Sequence, residues 1–519
     1  MAPITPATPA VTPAQNVVDL VRAAARRNPA AEAVVCDDRR LTWAQFDARI
    51  NRVANALIDL GVGKGARVAA LSPNSADYAE VFMGTLRAGA CMVPLSTMAP
   101  GAALEKMVRD SGSKMIFVAE QYRDLAAPFI DRLDIVRVAI DFDAQGWQSY
   151  DTLLAGASQS DPMVPIAWDD PFNIIYSSGT TGTPKGILHN HWMRAVQQDR
   201  RAPSGYDETA ITLLSTPLYS NTTIVAFLPA LAGGGAVHLM RKFDARGALD
   251  IIARERITHA MLVPVQYKRI MEVPDFDRFD LSSVRVKLST SAPLRADVKR
   301  DVLARFPGRL VEYYGLTEGG ASTVLHASET PTKLHTVGQP APQSELKFIG
   351  PDDAEVAPGE IGEIVGRSAT MMSGYFGRDD LSEDYVWHDD QGRVFFRSGD
   401  MGWLDEDGFL VLSDRKKDMI ISGGLNIYAD DLEQVLLGDP DVTDAAVIAV
   451  PSDTWGETPL GLVVLRKNAR DLDAILTDAN AKLGKSHRIS ALESRADLPR
   501  SSIGKVLKRA LRAPYWDGA

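Results

Sequence analysis

Phe172-Asn173-Ile174-Ile175-Tyr176-Ser177-Ser178-Gly179-Thr180-Thr181-Gly182-Thr183-Pro184-Lys185-Gly186 reads as a short apolar strand running into a loop of hydroxyl and glycine residues that closes on a lysine. Gly179 and Gly182 let backbone N–H groups approach an anion closely, and the hydroxyls of Ser177, Ser178, Thr180, Thr181 and Thr183 can donate to phosphate oxygens. Lys185 adds a point charge suited to β- and γ-phosphates. Gly, Ser, Thr and Pro also dominate ordinary polar turns, but a run of this length ending in Pro-Lys-Gly favours an anion cradle. Gly-Lys-Ser/Thr is absent, so the loop is not of the Walker type.

Outward from this segment, helical and strand signals alternate. Trp43, Phe46, Ile50, Val53, Leu57 and Leu60 recur at three- and four-residue steps until Gly61 stops the helix, and Arg67–Leu71 follows as a strand. The helical stretch Ala102–Asp110 precedes a strand at Lys114–Val118 in the same way. Alternation of this kind predicts an α/β fold with largely buried sheets. Gly402–Phe409 reads as a hairpin with a polar turn, and the charged run Asp414-Arg415-Lys416-Lys417-Asp418 marks a boundary. Beyond it, helix Ala429–Leu437, strands Ala445–Val450 and Gly461–Leu465 and helix Leu472–Leu483 suit an independent lid. The expected organisation is a flexible tail at 1–16, a large multi-sheet N-terminal α/β domain at 17–416, and a small mobile α+β C-terminal lid domain at 417–519.

Composition narrows the function class. A chain of 519 residues is too long for one core and predicts roughly two to four domains. The net charge of −11 argues against a general nucleic-acid or anionic-membrane binder. With only Cys36 and Cys91, neither a disulfide framework nor a zinc cluster is expected, and both read as buried core residues. The first residues are rich in Pro, Thr and Ala and lack the basic start and apolar run of a secretion signal. No stretch approaches the roughly 20 apolar residues of a membrane span, and the C-terminus is not a peroxisomal address. A cytoplasmic protein is expected, and a homodimer is the assembly allowed for.

A second signal lies far downstream. Pro499-Arg500-Ser501-Ser502-Ile503-Gly504-Lys505 leaves one lysine on a small, flexible stretch. A phosphate-type loop and a remote lone lysine point to a nucleotide site completed by a second domain. With the segments between them, from about residue 17 to 512, they make the chain resemble the adenylate-forming superfamily of acyl-CoA synthetases, nonribosomal-peptide adenylation domains and firefly luciferases. The resemblance implies ATP-dependent activation of a carboxylic acid, with Mg²⁺ and coenzyme A. In Tyr314-Gly315-Leu316-Thr317-Glu318 it implies that Tyr314 stacks on adenine, Thr317 contacts the α-phosphate and Glu318 holds Mg²⁺, consistent with a hard cation preferring carboxylate oxygen. Asp400, in Ser398-Gly399-Asp400, and Arg415 fall at ribose-binding positions, and Lys417 at the hinge. Gly423 and Gly424, within Ile420–Tyr428, correspond to the wall of a pantetheine tunnel, and Trp455 to a position that touches CoA in some relatives. Lys505 corresponds to the adenylation lysine, acting with Thr181 and Glu318. A cation placed there stabilises charge as carboxylate attacks the α-phosphate.

Departures from the family pattern bear on the acid. Ser220 stands where many relatives carry His after the aromatic gate, here Tyr219. Tyr313 replaces a common Gly and narrows one wall, Ser291 brings a hydroxyl where Gly is frequent, and Gly315 leaves the floor open. His259 could approach the pocket or serve as a satisfied core histidine. No Arg or Lys stands among these positions, so a second, distal carboxylate would be left unpaired. The expected substrate is a monocarboxylic acid with an uncharged tail: aryl, arylpropenoyl, alicyclic or medium-chain. Two alternatives stay open, a ligase loading a carrier protein and a non-catalytic acyl or nucleotide sensor. The context of Lys505 also resembles the target of bacterial lysine acetyltransferases, which makes such an enzyme an expected partner.

Overall fold

The strand Pro171–Ser177 pairs antiparallel with Lys185–Asn190, in a register that sets Ser177 against Lys185 and Ile174 against Leu188. The phosphate-type loop therefore closes a hairpin, which separates it from the strand–loop–helix geometry of Walker proteins. The computed structural model describes residues 13–177, 184–378, 385–415, 418–422, 425–452, 455–483, 487–501 and 504–516. Ser178, Gly179, Thr180, Thr181, Gly182, Thr183, Lys417, Gly423 and Gly424 lie outside the described residues. Of Ser177 and Arg415 only the backbones, both in strands, are described.

Among the described residues there are four sheets. The hairpin belongs to an eight-stranded sheet whose other members include Cys91–Pro94, Arg67–Leu71 and Met115–Val118, all parallel to Pro171–Ser177 or to one another. A nine-stranded sheet runs through Arg309–Gly315, Val286–Ser289, His259–Leu262 and Ile211–Leu214 in parallel, with Ser322–His326 added antiparallel. One core joins the two sheets. It is filled by the helices Trp43–Asp59, Ala76–Arg87 and Asn221–Gly233, with Phe82, Phe172 and Phe227 in ring contact. Asn221–Gly233 is buried on nearly every side, as expected of a helix enclosed between layers.

A third, antiparallel sheet holds Ser344–Ile349, Gly362–Ser368, Val394–Leu404 and Leu410–Arg415. The C-terminal unit is a fourth sheet, built on the long pair Val442–Ser452 and Gly456–Leu465, with its own core around Ile420, Leu432, Val447, Val463 and Ile475. The architecture is thus a large multi-sheet α/β N-terminal region followed by a small α+β unit. Asn16, expected to end the tail, instead caps the helix Val17–Arg27 by accepting from the Asp19 N–H at 2.9 Å, the usual work of an N-cap asparagine. The helix expected at Leu472–Leu483 ends at Ala481, and the strand expected at Ala445–Val450 extends to Val442–Ser452. Both cysteines are buried and unbridged. No helix among the described residues is long and apolar enough to cross a membrane.

Candidate active site

The turn after Arg309–Gly315 is built by sequence chemistry that only glycine satisfies. Gly319 and Gly320 both hold left-handed backbone, with φ of +78° and +80°. A Cβ on Gly319 would lie 2.1 Å from the Thr370 carbonyl oxygen. The pair bends the chain sharply after Glu318, so that its carbonyl accepts from the Met372 N–H at 2.8 Å and its carboxylate Oε1 accepts from the Tyr375 hydroxyl at 3.2 Å.

Tyr375 also faces Lys185. The ammonium of Lys185 lies 5.4 Å from the Tyr375 ring centroid and 4.1 Å from that of Tyr385, and it donates to the Tyr385 hydroxyl. Lys185 is only 7% exposed. A cation over electron-rich rings gains attraction that offsets part of its desolvation cost. Lys185 and Glu318, far apart in sequence, thus meet through one tyrosine. The fit to magnesium is good: a single hard carboxylate near the residues expected to hold phosphate is the usual protein share of Mg²⁺ coordination, phosphate oxygens supplying the rest.

Tyr314 points the other way along the strand, and its hydroxyl donates to Asp400 Oδ2 at 2.9 Å. Asp400 is held by the Ser398 hydroxyl, which accepts from the Asp400 N–H at 3.0 Å. The antiparallel register places Arg415 directly across from Asp400. The residues expected at adenine and ribose therefore come together on two adjoining sheets.

The acyl wall is assembled from three segments. Ser220 is the N-cap of Asn221–Gly233, its Oγ accepting from the Thr222 N–H at 3.3 Å. Thr222 in turn shares a hydrogen bond with the Ser291 hydroxyl, and Ser291 sits at φ +81°, a region where a residue with a Cβ is strained. The Tyr313 hydroxyl meets Ser204 Oγ at 3.1 Å. Tyr219 is buried, and Gly315 lies at the open end of its strand. Behind Tyr313, the buried pair Lys299–Glu312 (2.5 Å) anchors the Ser291 segment, Glu312 Oε1 accepting from the Leu294 N–H at 2.6 Å. His259 bonds the Ser204 carbonyl at 3.0 Å and the Thr258 hydroxyl at 2.8 Å and stacks on Tyr206, so it is a satisfied core histidine.

Five residues to which pattern reading gave no role form a cluster beneath these segments, Asn173, His189 and Arg194 buried and Gln197 and Asn221 half-buried. Arg194 Nε and Nη2 donate to Asn173 Oδ1 at 3.1 and 2.9 Å. Its Nη1 donates to Gln197 and Asn221 at 3.0 Å each, and Nη2 also reaches His189 Nδ1 at 2.9 Å. All five N–H groups of the guanidinium are thereby engaged. Asn173 Nδ2 points at the same imidazole nitrogen at 3.0 Å, so Nδ1 is the acceptor. The ring proton sits on Nε2, which donates to the Thr317 carbonyl at 2.7 Å. Burial, then the charge of Arg194, holds His189 well below the usual imidazole range and keeps it neutral. Burial likewise pushes Arg194 down to about 9. The signal was Asn and His set in otherwise apolar strands.

Lys505 is half-buried and closes a short turn back onto Ser501. Ser501 N–H donates to the Lys505 carbonyl at 2.8 Å, Lys505 N–H to Ser501 Oγ at 3.1 Å, and Arg500 to the Gly504 carbonyl at 2.7 Å. The turn rests on the N-terminal region. Gly504 has φ +78°, and a Cβ there would lie 2.5 Å from Val265 Cγ1. Lys268, in the helix Pro264–Met271, donates to the Thr443 carbonyl at 2.6 Å across the same junction. Trp455 is 58% exposed and is not drawn into this cluster. No group of three or more His, Cys, Asp or Glu among the described residues could form a metal site of its own.

Comparison with known proteins finds matches over most of the chain. The AMP-binding enzyme family model covers residues 21–376, and the model of the AMP-binding enzyme C-terminal domain covers 431–505. Feruloyl-CoA synthase of an Amycolatopsis species is 35% identical over 500 residues, spanning 95% of this chain and 97% of that protein. Long-chain-fatty-acid–CoA ligase FadD13 of Mycobacterium tuberculosis is 31% identical over 515 residues, spanning 96% and 99%. The crystal structure of ATP-bound MatB from Rhodopseudomonas palustris superposes with a TM-score of 0.87 at 28% identity, covering 97% of this chain and 99% of that one.

Proposed function

The chain belongs to the AMP-binding enzymes of the adenylate-forming superfamily, and from that premise we propose that it joins an uncharged-tail monocarboxylic acid to coenzyme A. It is an AMP-forming acid–thiol ligase with ATP as co-substrate. The observation that carries the substrate reading is the saturation of Arg194: all of its donors are spent on neutral side chains. The wall residues Tyr219, Ser220, Thr222, Ser291 and Tyr313 are themselves uncharged. A distal carboxylate would find hydroxyls but no counter-charge among them, and burying a carboxylate without a cation costs several kcal/mol.

In the first step the acid's carboxylate attacks the α-phosphorus of ATP, giving acyl-adenylate and releasing pyrophosphate. Glu318 would hold magnesium, which would supply charge to neutralise the phosphates. Tyr314 stacks on adenine, Asp400 and Arg415 hold the ribose, Thr317 meets the α-phosphate, and Lys185 meets the β- and γ-phosphates together with the loop from Ser177 to Thr183, where Thr181 takes part in catalysis. Lys505 stabilises the charge that builds at the α-phosphate. In the second step the lid rotates about Lys417, Gly423 and Gly424 line the thiol's path, Trp455 meets CoA, and the thiol displaces AMP.

The test is a pyrophosphate-release screen with Mg·ATP over benzoates, cinnamates, alicyclic acids, graded fatty acids and dicarboxylic acids, with and without CoA. Release with one monocarboxylic class, acyl-CoA on adding CoA, and a kcat/KM lower by about 10²-fold or more for the matching dicarboxylate are expected. Equal turnover of the dicarboxylate would sink the substrate reading. Release without thioester would point to a carrier-protein thiol, and silence, with ATP binding intact, to a sensor. Lys505 is also the proposed target of a lysine acetyltransferase, since acetylation removes the charge that adenylation needs. Incubation with an acetyltransferase of that kind and acetyl-CoA should add one acetyl group at Lys505 by mass spectrometry and abolish pyrophosphate release; an unmodified Lys505 would count against it.

A further inference from the structure

A buried guanidinium normally meets a carboxylate, because a charge moved out of water needs compensation. Arg194 meets none among the described residues; its partners come from four separate places in the chain. Asn173 lies in the strand entering the phosphate loop and His189 in the strand leaving it. Asn221 opens the helix that carries the acyl wall, and Gln197 is a local neighbour. Through His189, the cluster reaches the Thr317 carbonyl just before Glu318. The Thr317–Gly320 turn needs such a tether. Its backbone is otherwise held by the Gly319 N–H on the Leu316 carbonyl at 3.1 Å and the Met372 N–H on the Glu318 carbonyl at 2.8 Å.

We propose that Arg194 and His189 are positioning residues for the nucleotide: they set the Thr317 carbonyl, and with it Glu318, in register with the two strands that carry the phosphate loop. This rests on the reading of Thr317 and Glu318 as the ATP and magnesium contacts. The arrangement needs a neutral imidazole in one tautomer, a donor at Nε2 and an acceptor at Nδ1. Arg194 and Asn173 enforce that tautomer by both donating to Nδ1. A leucine at 189 would fill the space but hold nothing. A glutamine would offer an N–H toward Thr317 and an oxygen toward Arg194.

The experiment is calorimetric binding of α,β-methylene-ATP to the full chain, with Mg²⁺ titrated, for the wild type, His189→Leu and His189→Gln. No acid substrate is needed. His189→Leu should bind the Mg²⁺ complex about tenfold more weakly and need more Mg²⁺ for half-maximal binding, while His189→Gln stays within about threefold of wild type on both. A purely structural role would lower the melting temperature of both variants and leave the Mg²⁺ dependence unmoved. Wild-type binding with His189→Leu unchanged would overturn the positioning role alone. Failure of the wild type to bind would overturn the nucleotide reading, and the tether with it. Arg194→Met, which also empties a buried charge site, serves as a second variant and should show the same Mg²⁺ shift if it folds.

Discussion

Lys505→Ala should lower acyl-adenylate formation by about 10²–10³-fold, the usual cost of removing one group aimed at transition-state charge, and leave conversion of supplied acyl-adenylate and CoA to thioester within about threefold. The turn that carries Lys505 is pinned by hydrogen bonds of its own, and Arg500 ties it to Asp444 at 2.5 Å. Truncating a half-buried side chain at the end of that turn should therefore move stability by no more than about 0.5 kcal/mol. The two half-reactions separate a lysine serving the first step from one that merely supports the fold. Gly504→Ala is the companion variant. Its Cβ would press on Val265 in the arrangement described here, and its left-handed backbone disfavours any side chain. It should slow adenylation with Lys505 intact, because the turn must withdraw from the N-terminal region. ATP–pyrophosphate exchange measures the first step and thioester absorbance the second. A normal exchange rate in Lys505→Ala would remove this lysine from the mechanism.

Lys299→Met should destabilise the fold by about 3–5 kcal/mol, because it strands a buried carboxylate. Glu312 and Lys299 are each about 1% exposed, and Lys299 also donates to the Leu334 and Thr336 carbonyls at 2.9 Å. Burial pushes the Glu312 carboxyl up, and Lys299 beside it pulls it down. Without the lysine, only the upward push remains. A carboxyl whose folded pKa exceeds its unfolded value contributes stability that is full below the unfolded pKa and lost as pH rises through the folded one. The deficit of Lys299→Met should therefore be smaller at pH 5 than at pH 8. Pairing it with Glu312→Leu should recover much of the loss, since neither charge then remains buried. The Leu294 N–H would still lack its acceptor, so the acid's KM should rise in the double variant. Denaturant unfolding at the two pH values is the check, and equal losses in the single and double variants would show that the pair is not coupled.

Legibility in the sequence followed the strength of local patterns. The helix Ala429–Leu437 and the strand Arg67–Leu71 have the bounds that periodicity implies, because each carries one uninterrupted apolar stripe or run. The hairpin near Gly402–Phe409 forms between Val394–Leu404 and Leu410–Arg415, its polar turn being a local signal. The remainder of that third sheet went unread: Ser344–Ile349 and Val386–His388 are mostly half-buried and carry no sharp alternation. At the site, Tyr314, Asp400 and Arg415 were placed by resemblance, and the structure brings the first two into contact. Tyr375, Tyr385, His189 and Arg194 were not anticipated. Each acts on a residue distant in sequence, and a tyrosine, histidine or arginine in isolation reads equally as core or surface. The pairing of Lys185–Asn190 with Pro171–Ser177 and Gly374–Tyr375 sets His189 and Tyr375 beside the phosphate-loop strands, where Arg194 and Tyr385 reach them.

The aromatic seat of Lys185 has a chemical corollary. An enzyme of this family makes a mixed anhydride, an indiscriminate acylating agent, inside a site that also holds a primary amine. An ammonium set against the Tyr375 and Tyr385 rings, donating a hydrogen bond to the Tyr385 hydroxyl, presents no lone pair toward that carbonyl carbon. The rings that steady the cation also shield the catalyst from its own intermediate.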